Sequence, residues 1–196
     1  MANLVLQGDV QPNFASVLKN IHSNDQYAHL AGPGSWNDAD MLQCGQPGLG
    51  LAQCRTMLSL WSAAKSPLLI GADVRHFSAG VIGLLTNPEV IAVNQDALGE
   101  QARWVSSNRS TNSQVWSGRL SGGKFVVVLV NLDPGKAHNV TGTWSDALPG
   151  HVGPSASFAV RDVWGRKDLG VHEGGIALDV DPEDSRMLVL SPPHRS

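Results

Sequence analysis

Cysteine, tyrosine and charge are all scarce in this chain. Among 196 residues there are two cysteines, Cys44 and Cys54, and one tyrosine, and charged residues make up only 16%. Two thiols with no second pair and no neighbouring histidine do not make a structural zinc site, which takes four ligands. They are read either as a disulfide or as two half-buried thiols. The seven histidines are scattered with no HxH or HxxxH pair, so no metal and no cofactor is assigned. A net charge of -3 offers no electrostatic case for nucleic acid or an anionic membrane surface as partner. No apolar run approaches the roughly 18 residues of a membrane-spanning helix. The opening MANLVLQGDV has neither a basic stretch nor a long apolar one, so no signal peptide is expected there. The remainder is ordinary globular composition, 42% apolar, enough for one sizeable core or two small ones.

The two halves of the chain are patterned differently. In QPNFASVLKNIH, residues Phe14, Val17, Leu18 and Ile21 fall on one helical face, and Pro12 suits the first turn. A Gly/Pro break leads to a short extended segment from Asp38 to Leu42. LAQCRTMLSLWSAAKS is a second helical pattern, with Leu51, Cys54, Leu58 and Trp61 on its buried side. SPLLIGAD holds a buried strand from Leu68 to Ala72. VIGLLT and NPEVIAVNQ are short helices, the latter with Asn87 as cap, Pro88 first and Glu89 in its first turn. Alternating strand and helix means parallel strands with helical crossovers. From Gln101 the helical period is gone. Seven β-rich runs, from RWVSS to RMLVLS, are separated by turn clusters such as SGG and DPG, the pattern of an antiparallel sandwich. The boundary falls near DALGEQ, giving an α/β part over 1–98 and an all-β part over 99–196 whose core is expected to be self-contained.

In βα architectures, functional groups sit at the C-terminal ends of the parallel strands. Asp9, after the apolar Leu4-Val5-Leu6, Asp40 in the second strand and Asp73 after PLLIGA all occupy such places. Two carboxylates facing one pocket, one protonated and one ionised, are the chemistry of glycoside hydrolysis. Plainer roles compete: Asp9 as a helix cap, Asp38 as an Asx-turn, Asp73 as a partner for Arg75. Trp36 and Met41 suit a core, but a tryptophan beside acids also makes an apolar platform for a sugar ring.

GPGSWNDADML, residues 32 to 42, resembles the GPGGWNDPDML segment of the melibiase-type α-galactosidases, glycoside hydrolase family 27. The resemblance extends through LWSAAKSPLLIGADVRHFS, LLTNPEVIAVNQDALGEQ, QVWSGRLSGGKFVVVLVNLD and RMLVLSP, nearly the whole chain. It implies the C-terminal part of a (β/α)8 TIM barrel followed by an antiparallel β-sandwich. A complete barrel takes about 250 residues, so this chain is expected to be the back end of such an enzyme.

The resemblance also implies roles. Asp9 matches the general acid/base, in QGDV where the family has GDI or ADI. Asp40 and Met41 match residues of the galactose pocket, Trp36 is a candidate substrate contact, and Asp38 matches a supporting acid. Ala39 stands where the family has proline. The family's Trp-Arg pair before the acid/base is replaced by Leu4 and Val5. The nucleophile, an Asp in a KYD motif on strand four, has no counterpart here. The implied partner is a terminal α-galactoside; α-N-acetylgalactosaminidase, β-L-arabinopyranosidase and a non-catalytic carbohydrate-binding sandwich are the alternatives. Asn108-Arg-Ser and Asn139-Val-Thr are glycosylation sequons, the first and second of which would also occur by chance in a Ser/Thr-rich sandwich.

Overall fold

The structure, a computed structural model, describes residues 8–193; the apolar run Leu4-Val5-Leu6 lies outside them. The first helical pattern becomes helix α1 (Phe14–Asp25), burying Phe14, Val17 and Ile21. It starts later than its composition suggested. Asn13 is extended and its side chain accepts the Ser16 N–H. Asn13 is therefore the cap, and Pro12 lies outside the first turn. Helices α2 (Leu51–Ala63), α3 (Ala79–Leu85) and α4 (Pro88–Asn94) follow. Helix α4 opens as expected, with the Asn87 side chain accepting the Glu89 N–H and Pro88 in the first turn.

The segments around Asp38–Leu42 and Leu68–Ala72 lie parallel, with α2 as the crossover between them. They meet at a single bridge, Leu42 with Ile70, closed by Leu42 N–H to Leu69 O (2.7 Å) and Gly71 N–H to Leu42 O (2.9 Å). A ladder this short makes extended chain but not regular strand, and Leu69 and Ile70 are exposed, which corrects the expectation of a buried strand from Leu68 to Ala72. Cys44 and Cys54 are joined as a disulfide, clipping the loop after the first segment to α2.

The second half contains eight strands among the described residues: β1 (Arg103–Asn108), β2 (Ser113–Leu120), β3 (Lys124–Asn131), β4 (His138–Thr143), β5 (Ser157–Asp162), β6 (Lys167–Glu173), β7 (Gly175–Val180) and β8 (Ser185–Ser191). A one-turn helix, α5 (Trp144–Ala147), follows β4. A six-stranded sheet runs β1-β2-β3-β8-β5-β6, and β4 pairs with β7 in a second sheet. Every strand pair is antiparallel. The eighth strand, β6, was not evident in sequence. It is an edge strand, exposed along most of its length, so nothing imposes apolar alternation on it.

Strand β3 explains how the halves join. Its run FVVVLV is buried throughout. Successive side chains of a strand point to opposite faces. Phe125, Val127 and Leu129 face the smaller sheet, packing with Val140, Trp144 and Ile176. Val126, Val128 and Val130 belong to a second core together with Val17, Ile21, Met57 and Trp61 of the helices. At β3 the large sheet is therefore covered on both faces, and only one of its two cores is internal to the sandwich. This revises the expectation of a self-contained β half. Polar contacts reinforce the seam: Arg161 makes two hydrogen bonds to Glu89 (2.7 and 3.0 Å), Trp164 Nε1 donates to Ser59 Oγ (2.8 Å), and Arg55 pairs with Asp184.

Candidate active site

The entry to the WNDADM motif is built from its own sequence. Gly32 and Ser35 exchange N–H to O bonds of 2.8 and 2.9 Å around Pro33-Gly34. Gly34 has φ +87°, and proline followed by a left-handed glycine is the signature of a type II turn. Beyond it, Asn37 is buried and donates to Tyr27 O (2.7 Å) and Gln101 Oε1 (2.9 Å). Asp38 accepts the Asp40 N–H at 2.8 Å, an Asx-turn. The buried Ala39 donates its N–H to Ser66 Oγ (2.9 Å). A proline at this position would lack that donor.

Asp40 is held on every side. Its φ is +77°, a region that costs an ordinary L-residue roughly 1–2 kcal/mol and that Asp tolerates better than most. Its carbonyl accepts from the buried Trp61 Nε1 of α2 (2.7 Å). Its carboxylate accepts two backbone N–H groups, Met41 on Oδ1 (2.6 Å) and Val10 on Oδ2 (2.7 Å). The second bond links the site together. The nitrogen of Val10 is bonded to the carbonyl carbon of Asp9, so the Asp9 Cα lies within about 5 Å of Asp40 Oδ2. Asn20 of α1 fixes the same segment from below, donating to Gly8 O (2.7 Å) and reaching Ala39 O at 3.5 Å.

Asp9 itself is exposed, and so is Met41, at 46%. Such exposure for a methionine whose N–H binds the Asp40 carboxylate leaves an apolar surface open beside an acid group. The Met41 side chain borders Gly71 at the end of the other extended segment. A Cβ on Gly71 would lie 3.1 Å from the Met41 Cβ and 3.0 Å from Gln43 Nε2, so any larger residue would push these neighbours back by a few tenths of an ångström. Asp9, Asp40 and Met41 thus occupy one open rim, at the C-terminal ends of the paired segments. A carboxylate has about four acceptor positions; Asp40 uses two on backbone N–H groups, leaving capacity for further donors.

Trp36 is not brought to this rim. It lines a hollow of about 370 Å³ with Pro33, Lys65, Pro67 and Asp96, at the opposite ends of the same segments. Asp73 also turns away. Its carboxylate caps the turn Val74–His76 and binds the Arg75 guanidinium, which holds the Asp73 carboxyl below the ordinary carboxylate range. Three positioning groups were not foreseen: the Val10 N–H, Asn20 and Trp61. The backbone group has no side-chain signature. Asn20 left one, a polar residue on the apolar face of α1 between Val17 and Ile21.

Two family models match the chain: alpha galactosidase A over residues 6–96, and the alpha galactosidase C-terminal beta sandwich domain over residues 110–190. An alpha-galactosidase of Oryza sativa subsp. japonica is 42% identical over 94% of this chain and 43% of its own length. Alpha-galactosidase 3 of Arabidopsis thaliana is 40% identical over 94% of this chain and 42% of its own. The chain thus spans less than half the length of these curated relatives. Among solved structures, alpha-galactosidase I from Mortierella vinacea superposes with a TM-score of 0.84 at 35% identity, covering 92% of this chain and 45% of that one. A β-L-arabinopyranosidase of Geobacillus stearothermophilus superposes with a TM-score of 0.81 at 27% identity, over 96% of this chain and 44% of that one.

Proposed function

Because this chain belongs to the melibiase-type α-galactosidase family, its helical half being the C-terminal part of a (β/α)8 barrel and its second half the family's β-sandwich, we propose that it supplies the acid/base side of a retaining α-galactosidase site. Asp9 protonates the glycosidic oxygen as the leaving group departs. It then takes the proton of the water that attacks the galactosyl-enzyme. Asp40 accepts hydrogen bonds from galactose hydroxyls, and Met41 lies against the sugar ring. The observation that carries this reading is the Val10 N–H to Asp40 hydrogen bond, which seats the Asp9 segment on the WNDADM motif.

The attacking carboxylate is not in residues 1–196. The one tyrosine, Tyr27, stands between Gln26 and Ala28, and no KYD occurs. Retaining chemistry needs both carboxyl groups about 5–5.5 Å apart, and the rim around Asp9 and Asp40 is open where the rest of a barrel would close it. The nucleophile and the remaining walls come from elements outside this chain, and the domain division at about residue 98 is that between barrel and sandwich.

The test has two arms. The purified chain releases no nitrophenol from nitrophenyl α-galactoside. Joined behind the N-terminal barrel portion of the Oryza relative, it does, and it prefers the α-galactoside over nitrophenyl β-L-arabinopyranoside. Turnover by the isolated chain would contradict the assignment of the nucleophile, and a preference for the arabinoside would replace the substrate.

A further inference from the structure

We propose that Asn108 and Asn139 carry N-linked glycans and that an innermost N-acetylglucosamine seats in the hollow between β1 and β4. The two sequons are 31 residues apart in sequence, yet both asparagines line one hollow of about 230 Å³ formed by residues of β1, β2, β4 and α5. Ser106, Thr141, Thr143 and Asp146 line it as well, and Val115 is its one apolar lining residue. Hydroxyl, amide and carboxylate groups around a small apolar floor suit the hydroxyls and acetamido methyl of an N-acetylhexosamine.

The local geometry makes each sequon presentable. On β4, Asn139 and Thr141 are two apart and so share a face, while Val140 between them is buried. Asn139 Nδ2 donates to Asp179 Oδ1 at 2.9 Å, a bond that the one N–H left after glycosylation can keep. At the end of β1, Asn108 Oδ1 accepts from the Ser110 N–H (2.9 Å) and hydroxyl (2.7 Å), which engages the amide oxygen within the sequon itself. Both asparagines are exposed. The Cys44–Cys54 disulfide belongs to an oxidising compartment, the setting in which such glycans are added. The sugar would also have a structural use. Among the described residues β1 pairs only with β2, and β4 only with β7, so each presents an unpaired edge there of the kind proteins ordinarily cover.

The chemistry balances with a lipid-pyrophosphate-linked oligosaccharide as donor. The Asn Nδ2–C1 bond forms, the C1–oxygen bond to pyrophosphate breaks, and the amide loses one proton.

The full chain, directed into the secretory route of a glycosylating host, tests this in whole-cell extract, so that export is not required. Peptide-N-glycosidase digestion in heavy-oxygen water is expected to convert both asparagines to labelled aspartate. Ser110→Ala and Thr141→Ala should each abolish label at one site only. After trimming to a single N-acetylglucosamine, hydrogen exchange at Ser106–Asn108 and Asn139–Thr141 is expected to be about tenfold slower than in the unmodified chain. Unlabelled asparagines in the extract would overturn the proposal. So would labelled ones whose trimmed sugar leaves exchange at the hollow unchanged.

Discussion

At the scale of single residues, Asp40 joins local backbone geometry to the proposed chemistry. Its left-handed φ and its two backbone N–H partners are one arrangement, since the turn at residue 40 aims the carboxylate at Val10. Asp40→Ala keeps the unfavourable dihedral and strands two donors. Loss of hydrogen bonds to a charged acceptor costs about 1.5–3 kcal/mol each at most, so destabilisation on the order of 3 kcal/mol is expected in denaturant titration. Asp40→Asn, which tolerates the same φ and keeps one acceptor, should cost about half as much. Lys65 gives a second prediction. It is buried, and its ammonium donates to Val93 O. Burial lowers its pKa from 10.5 to about 8, partly offset by Asp96 and Glu100. The folded state therefore binds fewer protons than the unfolded one between about pH 8 and 10.5, and stability attributable to this group rises with pH across that window. The penalty present at pH 7 is on the order of 3 kcal/mol. Comparison of unfolding free energies with Lys65→Met should show this rise in the parent and not in the variant. The type II turn and the Asx-turn could be read from GPGS and from the Asp pair because their residues act locally. The separation of Trp36 from Asp40 could not, because it depends on which end of the paired segments each side chain lies at.

At the scale of elements, periodicity identified the helices well where one face is apolar, and capping set their limits less well. Asn13 rather than Pro12 begins α1, and Asn20 and Asn24 on its buried face serve other segments. Edge strand β6 escaped because an exposed strand has no core to imprint a pattern. The disulfide, left open between two readings by the sequence, closes a loop of sequence separation 10. Replacing both cysteines by alanine should cost about 2–3 kcal/mol by the loop-entropy relation, measured as a shift in denaturant midpoint. The connection between halves was read from composition as a boundary, but it is tied to both. Asp96 accepts from Ser121, Gln101 bonds Asn37 and Asn24, and the Ala102 N–H donates to Ala63 O. Limited proteolysis should therefore spare residues 96–101; early cleavage there would show that these ties are weaker than their geometry.

At the scale of the whole molecule, the large sheet shares one core with the helices and another with the small sheet, so the two halves should unfold together. On the barrel side, Met41, Leu69, Ile70 and Val74 are exposed, an apolar surface of the kind normally covered. The chain alone is expected to self-associate in sedimentation experiments, and the association should disappear when the Oryza barrel portion precedes it. Family and architecture were legible because long motifs repeat those of the α-galactosidases, and the rim was partly legible because WNDADM carries it. The tie between Asp9 and Asp40 runs through a backbone N–H, which no sequence motif records. The most direct test of the account is azide rescue of Asp9→Ala in the joined protein. Loss of a general acid/base typically costs about 10²–10⁴-fold; added azide should restore turnover of nitrophenyl α-galactoside and yield α-galactosyl azide. Unchanged activity in the variant, or a loss that azide does not relieve, would contradict the role assigned to Asp9.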